Sequence, residues 1–309
     1  MRRFRRSGAV PGSTIGPAVT GVTADQAVAA DQAVARAFMR GGLQAIPWRI
    51  LPLGYRGRGR ARRVLQRHMT AYRRAWPMLV SGFFEPFFYL LSIGLGLNHL
   101  VGHLRFGGHV VDYATYVAPG LLASSAMNGS VIDATFLTFF QLKITKSFEA
   151  VLATPLRVKD LALGQIGWAV LRGSVYSAAF LCVMAGLGLV ATGWAVLCLP
   201  AAVAVGFTFA AVGTGLTCYM RSFQDFDFIL LAIMPLFLFS AVFYPLTVYP
   251  GWLQAVVTCS PLYQGVVLIR SLDAGLFSWV LLAHLAYLVA LGLGGLWLAV
   301  HRLGRLLLR

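Results

Sequence analysis

The feature that most constrains this chain is the length of its uncharged runs. Between Arg172 and Arg221 there is no Asp, Glu, Lys or Arg, and between Asp227 and Arg270 there is none either. A helix needs roughly 20 apolar residues to cross about 30 Å of bilayer hydrocarbon, and several runs here reach that length. Lipid offers the backbone no hydrogen-bond partners, so only helices and closed barrels can span it. A barrel would need strands of about ten residues with alternating polarity, and no such alternation appears. Composition agrees: 58% of the 309 residues are hydrophobic and 12% charged, where soluble domains carry about a quarter charged residues. The fold class is therefore an all-α integral membrane protein.

About six crossings are expected, over 78–101, 114–138, 165–190, 195–218, 228–245 and 278–300. The segment 246–277 is apolar but interrupted by Pro250, Gly251 and Pro261. Its halves are too short to span, and they suit a re-entrant pair of half-helices. Ahead of the spans, residues 1–60 form an Arg-rich, largely disordered arm whose composition cannot build a packed core. Pro11, Gly12, Gly16 and Pro17 break what would otherwise be a signal-peptide core. Residues 61–77, "ARRVLQRHMTAYRRAWP", place Val64, Leu65, Met69, Tyr72 and Trp76 on one side and arginines elsewhere. That is the pattern of an interfacial helix on anionic lipid. The transmembrane domain then covers 78–309.

Charge placement sets the orientation. Of 26 Lys and Arg, most fall in the arm, in the stretch 141–160 and at the carboxy terminus. An arrangement with both termini cytoplasmic leaves only Arg105 and Arg270 on the far side, satisfying the positive-inside rule. For a bacterial chain this is the inner membrane. The basic arm lacks the interleaved aromatics and motifs of a nucleic-acid binder, so no nucleic-acid partner is expected. Cys182, Cys198, Cys218 and Cys259 show no paired metal or redox spacing and read as packing residues. His99, His103 and His109 with Asp112 read as ordinary loop residues rather than a zinc site, so no metal is expected.

Moving a solute requires energy, yet the chain has no phosphate-binding loop. Such a loop needs a glycine before its lysine, and Lys143, Lys146 and Lys159 follow Leu, Thr and Val. No catalytic residues are expected. Glu85, followed by Pro86, is either an intramembrane carboxylate in contact with a transported species or the mark of a bend entering the first span. Ser124, Ser125 and Asn128 either line a polar path or join helices by small-residue packing. Asp133 and Arg172 should both lie toward the inner ends of their spans, where pairing would offset the cost of burying either.

The main internal charge cluster is "QLKITKSFEAVLATPLRVKD", residues 141–160, set between two long apolar runs. Phe148, Val151 and Leu152 form an i, i+3, i+4 cluster, Lys143, Lys146 and Glu149 fall on other faces, and Pro155 stops the helix. This short amphipathic helix either lies on the lipid surface or docks in a groove of a soluble partner.

This stretch resembles the cytoplasmic loop of ABC-2 type exporter permeases, close to the nodulation-factor (lipo-oligosaccharide) and daunorubicin-resistance branches. Three further stretches carry the resemblance: "EPFFYLLSIGLGL" (85–97), "YVAPGLLASSAMN" (116–128) and "FYPLTVYPGWLQAVVTCSPLYQGVVLIR" (243–270). The last is similar to the family's outer signature, with Pro245, Pro250, Trp252, Pro261 and Arg270 in place. Tyr263 departs from it, standing where a small polar residue is common.

The resemblance implies a six-span permease with cytoplasmic termini, working as a homo- or heterodimer with separate ATPase subunits that hold ATP and Mg. It implies that 141–160 is the ATPase-coupling helix, with Phe148 as anchor and Lys143, Lys146, Glu149 and Arg157 facing the ATPase rim. The half-helices of 246–277 would close the outer mouth. The implied activity is export, or drug efflux, of a hydrophobic, lipid-linked or glycan substrate. The alternatives are an ATP-independent channel or secondary transporter, and a membrane enzyme acting on lipid. The enzyme would need clustered carboxylates or histidines, and only Asp225 and Asp227 come close together.

Overall fold

The computed structural model describes residues 64–65, 87–92, 96, 103–106, 109–152 and 156–307. The described chain opens with a helical stretch at 87–92 and an antiparallel hairpin of β1 (His103–Phe106) and β2 (His109–Asp112), His103 opposite Asp112 and Phe106 opposite His109. The hairpin lies where sequence suggested only a loop, and it leads directly into a helix.

Eight helices follow: α1 (Tyr113–Phe139), α2 (Ser147–Leu152), α3 (Val158–Gly186), α4 (Cys198–Thr217), α5 (Phe226–Phe239), α6 (Gly251–Thr258), α7 (Pro261–Asp273) and α8 (Trp279–Leu307). At 1.5 Å per residue, α3 and α8 are each about 43 Å long, more than enough to cross hydrocarbon. Among the described residues, three segments are long and apolar enough to span: α3, α8, and α4 with its leading turn, Gly193–Thr217. A fourth candidate is the bent pair α6–α7, whose axes turn by 83° across a short break. The break follows from chemistry at the junction. Pro261 cannot donate to a continuing helix but suits a first turn, and Ser260 caps α7 by accepting from the Tyr263 amide at 3.4 Å.

α1 is the axis of the bundle. It packs against α3, α4 and α7, while α4 also packs along α8. Val117, Ala118, Leu122, Ala123, Ala126 and Met127 are fully buried in the largest apolar cluster, which draws in Phe180 from α3, Val205 from α4 and Ile269 from α7. Small residues set the helix spacing, as expected where lipid supplies no hydrophobic drive and close packing must hold helices together. Gly295 of α8 is the clearest case: a Cβ there would lie 2.6 Å from the Val212 amide nitrogen and 2.8 Å from the Ala211 carbonyl carbon of α4.

The fifth crossing differs from the sequence expectation. Instead of 228–245 the helix is α5, 14 residues with none buried, about 21 Å long and short of the hydrocarbon thickness. The backbone turns at 240–244, where Ala241 adopts φ 53°, and the residue before Pro245 is biased away from helical geometry. The third crossing begins earlier than expected, at Val158 rather than 165. Arg157 is its extended N-cap, and its amide donates to Asp160 Oδ2 at 3.2 Å. An acidic group in the first turn also favours the positive end of the helix dipole.

Candidate functional site

The charge cluster expected to be functional gathers at one end of the bundle. α1 does not stop at Phe139 but continues as a π-helical turn, Phe140–Ile144, a distortion common at functional sites. Lys146 then takes φ 47°, which breaks the helix and reverses the chain into α2. Lys143, Ile144, Thr145 and Lys146 are exposed along this reversal, as is Arg157 at the start of α3.

Phe148 is placed differently from the sequence expectation. Rather than standing out as an anchor for a partner, it is 1% exposed. It packs with Val64, with Val158, Leu161 and Ala162 of α3, with Cys218 after α4 and with Leu303 of α8. Val151, Leu142 and Leu156 lean on the same cluster. An apolar face on a short helix must be covered by something, and here the chain covers it with its own helix ends. Glu149 and Leu152 lie on α2, whereas Glu85 and Pro155 lie outside the described residues, as do the arm and all of 61–77 except Val64 and Leu65.

Arg172 of α3 and Asp133 of α1 form a hydrogen-bonded ion pair, with side chains 14% and 9% exposed. Arg172 also donates to the Tyr176 hydroxyl at 2.9 Å, with its guanidinium over that ring. The second carboxylate oxygen of Asp133 has no hydrogen-bond partner among the described residues. About two turns nearer the cluster end, Gln165 Nε2 donates to Gln141 Oε1, so α1 with its π-helical extension and α3 are joined by a polar seam. Of the serines considered for a polar path, Ser124 donates back to the Gly120 carbonyl at 3.0 Å, a bond that satisfies the hydroxyl within its own helix. Ser125 is buried and Asn128 half-buried.

At the opposite end stands the α6–α7 pair. Pro245 precedes a short turn, Pro250 is the N-cap of α6, Trp252 is 72% exposed and Pro261 opens α7. Arg270, expected on the far side within the half-helix segment, does not face water. It is 5% exposed and held by hydrogen bonds to α1 and to the turn after α5. Sequence could not reveal this arrangement, because its partners lie 154 and 28–29 residues away.

Beyond α4, Asp225 is half-buried and accepts from the amides of Arg221 at 2.6 Å and Ser222 at 3.2 Å. These backbone hydrogen bonds hold its carboxyl below the ordinary carboxylate range. Asp225 thus caps the short 3-10 turn Phe223–Asp225 that leads into α5, and Asp227 lies in the first turn of α5. Among the described residues, no group of three His, Cys, Asp or Glu gathers to hold a metal.

Several apolar helices around a close-packed axis, a bent pair at one end and a cationic reversal at the other define a multi-pass membrane protein of the permease class. The sequence model described as "ABC-2 type transporter" matches residues 61–274, and the chain belongs to that family. It is 32% identical over 216 residues to nodulation protein J of Rhizobium leguminosarum bv. trifolii, covering 69% of this chain and 80% of that one. It is 30% identical over the same length to nodulation protein J of Rhizobium meliloti (strain 1021), and 27% identical over 209 residues to that of Sinorhizobium fredii (strain NBRC 101917 / NGR234). The chain is thus a membrane transporter permease, and its family implies an ATPase partner within an ABC transporter.

Proposed function

We propose that this permease exports a hydrophobic, lipid-linked or glycan substrate across the bacterial inner membrane, with both termini cytoplasmic, a second permease chain beside it, and energy from ATP and Mg on a separate ATPase subunit. The observation that carries the reading is the arrangement at 140–160. A cationic reversal is exposed at Lys143, Ile144, Thr145 and Lys146, while the helix that follows is fixed to α3, α4 and α8 through Phe148. Any push on the exposed reversal reaches three spans through that packing, and reaches α1 through the unbroken π-helical turn.

In this reading the partner contacts Lys143, Lys146 and Arg157, and Phe148 transmits force inside the permease. The family match, the Lys/Arg bias toward the arm and this reversal, and the sequence without a phosphate loop support the division of labour. Co-purification tests it: Lys143→Glu with Lys146→Glu should abolish association with an ATPase subunit while membrane insertion persists. Normal association of the double variant would overturn the contact assignment. Export that proceeds without any such subunit and without ATP would overturn the whole reading in favour of a secondary transporter.

A further inference from the structure

Among the described residues, Arg270 makes four hydrogen bonds and one ring contact. It sits in the last turn of α7, and its hydrogen bonds run in three directions. Nε donates to the Tyr116 carbonyl at 3.1 Å and Nη1 to the Tyr116 hydroxyl at 3.1 Å. Nη2 donates to the carbonyls of Ala241 at 3.1 Å and Val242 at 3.2 Å. The guanidinium carbon also lies 3.9 Å from the centre of the Tyr116 ring. One buried group thus binds together α7, the outset of α1 and the turn that follows α5.

Each of those three segments is built to receive it. Pro119 in α1 has no N–H to return to the Thr115 carbonyl, which loosens the helix turn beside the Tyr116 carbonyl. Gly120 lets the turn settle on α1: a Cβ there would lie 3.1 Å from Val242 Cγ1, 3.2 Å from its Cα and 3.4 Å from Arg270 Nη2. Ala241 holds φ 53°, a left-handed conformation unfavourable for a residue with a Cβ, and its carbonyl is one that Arg270 fastens. Next to it, Ser240 Oγ lies 2.9 Å from Ser260 Oγ, the cap of α7. A strained turn persists only where its surroundings over-determine it, and these contacts supply that determination.

We propose that Arg270 is a positioning residue that locks the 240–242 turn and the α6–α7 pair onto α1, so that the three segments open as a single unit. A lysine cannot replace it. The ammonium is a compact point donor, whereas the planar fork presents five N–H groups in fixed directions and stacks on an aromatic face. The proposal goes beyond the permease reading and takes from it only the consequence: α1 carries the cationic reversal at its far end, so a displacement of α1 would be delivered to the α6–α7 pair.

The test is hydrogen–deuterium exchange with peptide resolution on the full chain in lipid nanodiscs, comparing wild type, Arg270→Lys, Tyr116→Phe and Arg270→Lys with Ala241→Gly. In Arg270→Lys, peptides covering 238–250 should exchange at least ten-fold faster while those of α4 and α8 keep wild-type rates. Tyr116→Phe, which removes one acceptor and keeps ring and carbonyl, should produce a several-fold acceleration in the same peptides. Ala241→Gly should restore part of the protection, because glycine takes a positive φ without steric cost. Unchanged exchange at 238–250 in both Arg270→Lys and Tyr116→Phe would overturn the lock. Equal acceleration throughout α4 and α8 in Tyr116→Phe would also overturn it, showing a packing residue and not a positioning one. If Arg270→Lys fails to fold, Tyr116→Phe decides. The assay contains no ATPase and no nucleotide, so a failed lock and a failed partner experiment are separate results.

Discussion

The two ends of α1 are held by opposite means. At the Tyr116 end, Arg270 fixes α7 and the 240–242 turn through four hydrogen bonds whose directions define one position. At the other end, Phe148 joins α2 to the tips of α3, α4 and α8 by apolar packing, which has magnitude but no direction. A directional joint resists sliding and loses much when a donor shifts. An apolar joint tolerates small displacements as long as the volume stays filled. A permease that receives force at one end and must keep register at the other has use for both, and the chain places the tolerant joint beside the exposed cationic reversal.

The comparison is broken most severely by emptying the apolar joint. Phe148→Ala removes a fully buried ring and leaves a cavity, with an expected cost of about 4 kcal/mol, readable as equilibrium unfolding by SDS in mixed micelles. Phe148→Leu keeps most of the volume and should cost about 1 kcal/mol. A leucine as damaging as the alanine would mean that the joint depends on ring geometry, and the contrast with Arg270 would collapse.

Between the two ends, the Asp133–Arg172 pair asks whether a polar device inside the bundle stabilises it or only specifies its register. Removing one partner strands a buried charge, so Asp133→Ala should cost about 3 kcal/mol or more. Replacing both with Leu and Met should recover most of that loss, because a buried ion pair is often no better than well-packed apolar residues. The double charge reversal, Asp133→Arg with Arg172→Asp, should also unfold later than either single change in the same assay. If it is no better than either, the pair is bound to its local polar surroundings, Tyr176 included, and not to charge complementarity alone.

Much of the architecture was legible because its signals are local. The expected crossings 114–138, 195–218 and 278–300 correspond to the helices Tyr113–Phe139, Cys198–Thr217 and Trp279–Leu307. Pro250 and Pro261 foretold the bent pair because each restricts the backbone at its own position, and Gly251 because it costs a helix interior stability. What was not legible depends on residues far apart in the chain. The amphipathic pattern of α2 required that Phe148 be covered but did not say by what, and a partner's groove and the chain's own helix tips leave the same signature. Arg270 read only as a far-side cation within the half-helix segment, because its acceptors are mostly backbone carbonyls, which have no side-chain signal at all. The β1–β2 hairpin was missed for a similar reason, since two four-residue strands carry too little periodicity to register.

The smallest expected effect completes the contrast between buried and exposed polar devices. Asp225 makes hydrogen bonds as short as those of Arg270, at 2.6 Å to the Arg221 amide, but it is only half-buried and its partners Arg221 and Ser222 are exposed, so water competes for those bonds. Its carboxyl titrates below the ordinary range because those amides favour the charged form. The sign follows: a depressed folded pKa contributes stability that is present above the unfolded value of about 4 and is lost as pH falls through the folded value. Protection of the Arg221 and Ser222 amides, corrected for intrinsic exchange rates, should therefore hold at pH 5 and fall away on acidification below about pH 4, and Asp225→Asn should flatten that profile. Global unfolding should barely respond to either change. A clear shift in global stability would mean that the start of α5 is coupled to the bundle more tightly than its unburied surface suggests, and that exposure alone does not separate the weak polar joint from the strong one.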